Sequence, residues 1–224
     1  MVSNLSSLEK NIQDIISLNM GTMAGVQGSL ISAAENKDLR SILVTSCHRQ
    51  EGKTVTAVSM AYGLSSQSNA EVLLIDGNFT APKIHEHFGV NIGPGLSDIL
   101  SSDTPFEDAI RRTGDAGLTL LTQGTSVTSL LDLYRSHSFE EKLGFFKKNF
   151  DYVIYDGTSI FGASDASTIA KHFDGIVLVV ECEGTRWEVV QEVKERLEKA
   201  GGNILGVVLN KRRFYIPRAF YSGS

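Results

Sequence analysis

Residues 41–54, SILVTSCHRQEGKT, join a short apolar run with β-branched side chains to a Gly-Lys-Thr that opens a helical pattern. Strand, tight loop and helix N-terminus in that order make a phosphate site: backbone N–H groups of the loop wrap the phosphates and the helix dipole reinforces them. The Lys reaches the outer phosphates, and the hydroxyl after it holds Mg²⁺. Gly52, Lys53 and Thr54 match those roles, with Glu51 and Val55 flanking them in the cofactor-binding loop. The G-x-x-x-x-G-K-[ST] pattern departs at its first glycine, where Cys47 stands. A chance Gly-Lys-Thr at an ordinary helix start is the competing reading. The strand-like residues 42–44 before it and the helical spacing of Val55, Ala57, Val58, Ala61 and Tyr62 after it favour the phosphate loop.

Working outward, residues 72–75 form a second apolar run that ends at Asp76, and residues 152–155 a third that ends at Asp156. An acid at the carboxyl end of a parallel strand faces the crevice where open α/β sheets bind ligands. An isolated Asp there is more simply a turn cap, but two of them after a Gly-Lys-Thr fit the acids by which P-loop enzymes orient Mg²⁺ and water. Further strands are expected at 118–121, 175–180 and 204–209, the last closing on Asn210-Lys211. Between them run helical stripes. Phe139, Leu143 and Phe146 follow a capping box of Ser138 and Glu141, and Val189, Val190, Val193 and Leu197 follow Thr185 and Glu188. Trp187 is expected to pack. Strands alternating with helices imply right-handed crossovers and a doubly wound, mostly parallel α/β sheet over residues 41–211. Residues 1–40 read as an N-terminal helical segment, with Leu5, Leu8, Ile12, Ile15 and Ile16 at helical spacing, and residues 212–224 as a basic, aromatic tail.

A length of 224 residues suits one such domain. The net charge of −5 argues against a chain-wide nucleic-acid footprint, since that requires clustered Lys and Arg. The apolar run at 176–180 is far too short to span a membrane, and the first ten residues carry no signal-type core, so a cytoplasmic location is expected. The two cysteines, Cys47 and Cys182, have no metal-ligand spacing. Cys47 would be reactive only if the loop's positive field lowered its pKa. His48, His85 and His87 lack the i, i+4 pairing and cysteine partners of a metal site.

From Arg40 to Lys211 the chain resembles the bacterial tyrosine kinases of capsule and exopolysaccharide assembly, relatives of the MinD/ParA-type P-loop ATPases. The likeness is carried by the phosphate loop, VLLIDGNFTAPKIHEHFGV with PGLSDIL over 72–100, FDYVIYD over 150–156, SDA at 164–166 and ILGVVLNK over 204–211. The resemblance implies ATP and Mg²⁺ as cofactors. It gives Lys53 and Thr54 the phosphates and metal, Asp76 and Asp156 the rest of the metal site, and Asn210 the nucleotide base; Lys53, Asp76 and Asp156 are the candidate catalytic residues, with Asp76 the candidate base for the attacking hydroxyl. It also implies recruitment to the inner face of the membrane by a separate chain-length determinant, a polysaccharide co-polymerase, and leaves a homo-oligomer open.

The chain departs from the family pattern in ways that bear on activity. Asp-x-Asp-x-Arg after the second strand reads Asp76-Gly77-Asn78-Phe79-Thr80, and an amide takes no proton at neutral pH. Asp-x-x-Pro reads Asp156-Gly157-Thr158-Ser159, and the tyrosine-rich tail is reduced to Tyr215 and Tyr221. No N-terminal Glu-x-x-Arg-type motif is evident before Ile42. Three readings stay open: a kinase acting on its own tail or on a partner, a nucleotide-dependent switch with little transfer activity, and a MinD/ParA-type ATPase. The third is weakened by His48, which stands where that group's signature Lys belongs.

Overall fold

The computed structural model describes residues 39–68, 70–102, 104–114, 117–125, 137–162 and 167–212, together with Lys10, Gln13, Asp14 and Tyr134. The N-terminal stripe from Leu5 to Ile16, the motif at 164–166 and the tail tyrosines Tyr215 and Tyr221 lie outside the described residues.

Among the described residues seven strands form one sheet: β1 (Ser41–Ser46), β2 (Val72–Asp76), β3 (Ile110–Arg112), β4 (Leu118–Leu121), β5 (Tyr152–Asp156), β6 (Gly175–Glu181) and β7 (Ile204–Asn210). Their order is β3-β4-β2-β5-β1-β6-β7, parallel throughout except for β3, which pairs antiparallel with β4 at one edge. The crossover helices are α1 (Lys53–Ser68), α2 (Ile84–Phe88), α3 (Leu96–Ser101), α4 (Phe106–Ala109), α5 (His137–Asn149) and α6 (Trp187–Lys199). The expected doubly wound sheet is the observed one, with β3 and α4 added.

Because side chains alternate along a strand, the central strands feed two cores at once. Ile42, Val44, Leu74, Ile154 and Val177 point to one face, where Ala57, Val58, Ala61 and Leu64 of α1 cover them. Leu43, Leu73, Tyr155 and Leu178 point to the other, against Ile99 of α3, Phe139, Leu143 and Phe146 of α5, and Val190, Val193 and Leu197 of α6. Burial on both faces explains why these strands read as continuous apolar runs. Truncating one such side chain, Leu74→Ala for instance, removes ~2–5 kcal/mol.

Two capping expectations are corrected. Helix α5 starts at His137, so Ser138 lies in its first turn and not at its cap. Helix α6 is preceded by Arg186 with no side-chain cap, and Thr185 turns away to bond Glu51. Trp187, expected to pack, is 71% exposed at the start of α6.

Candidate active site

The strand order sets the site. β5 lies between β1 and β2, with Val44 opposite Asp156 on one side and Asp76 opposite Asp156 on the other. The loop leaving β1 and both strand-end acids therefore meet at the carboxyl edge of the sheet.

In that loop Gln50 has φ 64° and Gly52 φ 94°, both left-handed. Gly52 is required on two counts: its φ suits glycine, and a Cβ there would collide with the Asn210 amide. The Gly52 carbonyl accepts from both the N–H and the hydroxyl of Thr56, each at 3.0 Å, which locks the loop into the first turn of α1. Lys53, the first residue of that helix, is buried, and Thr54 and Val55 are partly buried beside it. Cys47 is buried, and desolvation, aided by the Glu51 charge, pushes its thiol up to about 12. It is a packing residue and not a nucleophile.

Glu51 ties the loop to its surroundings. Its buried carboxylate accepts the His48 N–H at 2.9 Å and the Thr185 hydroxyl, while its carbonyl accepts the Asn210 amide at 2.8 Å. The ends of β6 and β7 thus brace the loop. Sequence reasoning missed Thr185 in this role, because Thr185 and Glu188 also read as a helix start and no spacing rule links residues 134 positions apart.

The acids differ in their surroundings. Asp76 accepts N–H groups from Asn78 (3.2 Å), Lys83 (3.0 Å) and Ile84 (3.0 Å). Burial still outweighs those bonds and pushes its carboxyl up to about 6. Asp156 is pushed further, to about 7, chiefly by burial and also by the Asp76 charge; Lys53 pulls it down, and so does the nearby Thr54 hydroxyl. That hydroxyl does not reach good bonding geometry, and neither Asp156 oxygen has a hydrogen-bond partner among the described residues. Ser159 Oγ, in the loop after β5, is likewise buried without a partner.

A buried carboxylate without a donor destabilises a fold unless something charged completes it. Two acids in register, with the Lys53 charge and the Thr54 hydroxyl near Asp156, form an oxygen-rich cluster that fits a hard divalent cation such as Mg²⁺. The glycine that admits no Cβ and the helix N-terminus at Lys53 fit a phosphate chain beside it.

Comparison with known proteins accords with this geometry. No protein-family model matches the chain. It is 32% identical over 181 residues to the tyrosine-protein kinase CpsD of Streptococcus agalactiae, covering 80% of this chain and 77% of that protein. The chain belongs to the bacterial tyrosine-kinase family. It is also 28% identical over 187 residues to the putative tyrosine-protein kinase CapB of Staphylococcus aureus, covering 84% of this chain and 82% of that one. The crystal structure of the chimerical protein CapA2B2 superposes with a TM-score of 0.80 at 28% identity, covering 86% and 84% of the two chains. The MinD protein of Pyrococcus horikoshii, complexed with Mg-ADP, shares the fold at a TM-score of 0.63 and 24% identity, covering 81% and 75%.

Against the family pattern, Asn78 stands where the second acid of Asp-x-Asp is expected. Its amide nitrogen donates to the Ala81 carbonyl at 2.9 Å, and its oxygen accepts the Thr80 hydroxyl at 3.1 Å. Both ends of the amide hold the turn after β2, so the side chain does structural work that a carboxylate cannot copy. Asn78→Asp replaces the donor facing Ala81 with an oxygen, at a cost of ~1–3 kcal/mol. The expected outcome is a lower melting temperature, measured by scanning calorimetry, without the gain in transfer rate that restoring an acid would suggest from the sequence.

Proposed function

We propose that the chain is a Mg²⁺-ATP-dependent protein-tyrosine kinase acting in capsule or exopolysaccharide chain-length control or export. The observation that carries the reading is the in-register pair Asp76 and Asp156 beside Lys53, in a chain of this family. Lys53 faces the outer phosphates, and Glu51, Gly52 and Val55 line the loop around them. Asn210, braced against Glu51 and Gly52, flanks the base. Thr54, Asp76 and Asp156 would hold Mg²⁺, which would supply charge neutralisation for the transferring phosphoryl group.

Asp76 is the proposed base. As the tyrosine oxygen bonds to the γ-phosphorus and the bond to the bridging oxygen of the leaving ADP breaks, the phenolic proton passes to Asp76. Three backbone N–H groups fix that carboxylate in place. Positioning and charge stabilisation supply most of the rate.

No described helix is long and apolar enough to cross a membrane. Recruitment to the inner face of the membrane by a chain-length-determinant protein belongs to the proposal on the family resemblance alone. One observation favours a second reading, a nucleotide switch with little transfer: Asn78 spends its side chain on a turn, so the site lacks the second acid of the family pattern.

Intact-mass measurement after incubation with Mg²⁺-ATP tests the choice. A kinase gains mass in steps of one phosphate, on Tyr215 or Tyr221, and the Tyr215→Phe/Tyr221→Phe and Asp76→Ala variants do not. An unmodified mass with nucleotide-dependent binding to a membrane partner's cytoplasmic segment decides for the switch.

A further inference from the structure

At the opposite edge of the sheet, where β1 and β6 begin, a cleft of about 690 Å³ opens between the end of α5 and the short 3₁₀ turn Ala170–His172. Arg40, Lys147, Lys148 and Lys171 line it with His172, and among the described residues Glu140 is its one acid. Four cations on one cleft stand out in a chain of net charge −5.

The floor is built. Lys147 is held at 2.5 Å by Asp174, whose other oxygen accepts the backbone N–H groups of Arg40 (3.1 Å) and Ser41 (2.8 Å) and the Ser41 hydroxyl (2.9 Å). A Cβ on Gly201 would lie 3.2 Å from the Lys171 Cβ, so the base of the Lys171 side chain passes close to Gly201. Asp174 thus neutralises Lys147, while Lys148 and Lys171 enter no ion pair with a described residue. Burial and the Lys171 charge together hold the His172 imidazole below its ordinary pKa, with Glu140 opposing them. Glu140 and Asp174 set against four cations leave the described lining net positive.

We propose that this cleft is a second anion site, distinct from the nucleotide loop, and that it binds a phosphate dianion. Lysines are point charges with three rotatable donors each, suited to a phosphate's oxygens and indifferent to what carries it. The volume admits a phosphorylated side chain as well as a free ion. Those two sources share the chemistry and separate in the test.

The wild-type chain, saturated with Mg²⁺-ADP to occupy the nucleotide loop, is titrated with inorganic phosphate and, separately, with a phosphotyrosine peptide. The His172 ring resonance is followed by NMR and assigned with His172→Gln. Either ligand is expected to move that resonance and raise the His172 pKa. In Lys148→Ala/Lys171→Ala, two exposed positions whose loss leaves Mg²⁺-ADP binding unchanged, the affinity falls at least about tenfold. Equal affinity for the two probes assigns a free phosphate ion, and tighter binding of the peptide assigns a phosphorylated side chain. An unmoved resonance with both probes overturns the site. So does undiminished affinity in the double variant, or an equal response to sulfate, the mark of an adventitious ion only. An unphosphorylated Glu-rich peptide that binds as well would transfer the cleft to acidic proteins and overturn the phosphate assignment.

Discussion

Lys53→Ala is expected to abolish the thermal stabilisation that Mg²⁺-ATP confers while leaving a folded protein. The lysine is buried at the first residue of α1, where alanine is a good helix former and no backbone bond is lost. In the proposed function its charge serves the loop's phosphates, and it lowers the Asp156 pKa. Loss of one charge-assisted contact to phosphate weakens binding about a hundredfold. Nucleotide at roughly 100 times its Kd stabilises the wild type by about 2.7 kcal/mol, which for a domain of this size is on the order of 5–10 °C in Tm. Scanning fluorimetry with and without Mg²⁺-ATP reads both quantities. Removing the lysine also takes away the main influence that keeps Asp156 ionised, so the metal side of the site weakens with the phosphate side.

Asp156→Asn should separate stability from activity. Buried acids whose folded pKa lies above the unfolded value bind more protons in the native state, so stability falls as pH rises between the two values. Asp76 and Asp156 are raised from 3.8 to about 6 and about 7, so the unliganded wild type loses stability from about pH 4 up to about pH 7 and levels off above that. A tenfold change in proton affinity between the folded and unfolded chain corresponds to ~1.4 kcal/mol. The asparagine variant loses the Asp156 part of that slope and keeps the Asp76 part, so its stability should fall less between pH 5 and pH 8 and it should melt higher than wild type at pH 8. Its phosphoryl transfer should fall more than roughly a hundredfold, since even outer partners of a metal site cost about 10–100-fold. Melting curves at pH 5 and pH 8, paired with the initial rate of ADP formation, measure the trade.

Much of this site was legible in the residues. Strand, loop and Gly-Lys-Thr read out at once, because a phosphate loop is local in sequence and its glycine is fixed by backbone geometry at Gly52. The two acids also read out, as apolar strands ending on Asp. Their pairing did not, because β5 enters between β1 and β2 only through the order of the sheet, which no local pattern encodes. Long-range contacts were hidden for the same reason: Thr185 reads as a helix cap and in fact braces Glu51 from 134 positions away. Trp187 shows the limit of treating an aromatic residue as core, since a large side chain at a helix start has no stripe to join. The short edge strand β3 gave too few residues for any period to show, and Asn78 read as a lost acid where the fold uses both ends of its amide.

The most direct test is calorimetry of ATP binding to the wild type, to Lys53→Ala and to Asp156→Asn, each with and without Mg²⁺. One site per chain is predicted in the wild type, tight only with Mg²⁺, with affinity lost in Lys53→Ala and Mg²⁺ dependence lost in Asp156→Asn. Equal affinity in all three folded proteins, or wild-type binding indifferent to Mg²⁺, would contradict the assignment of this edge of the sheet as a Mg²⁺-ATP site.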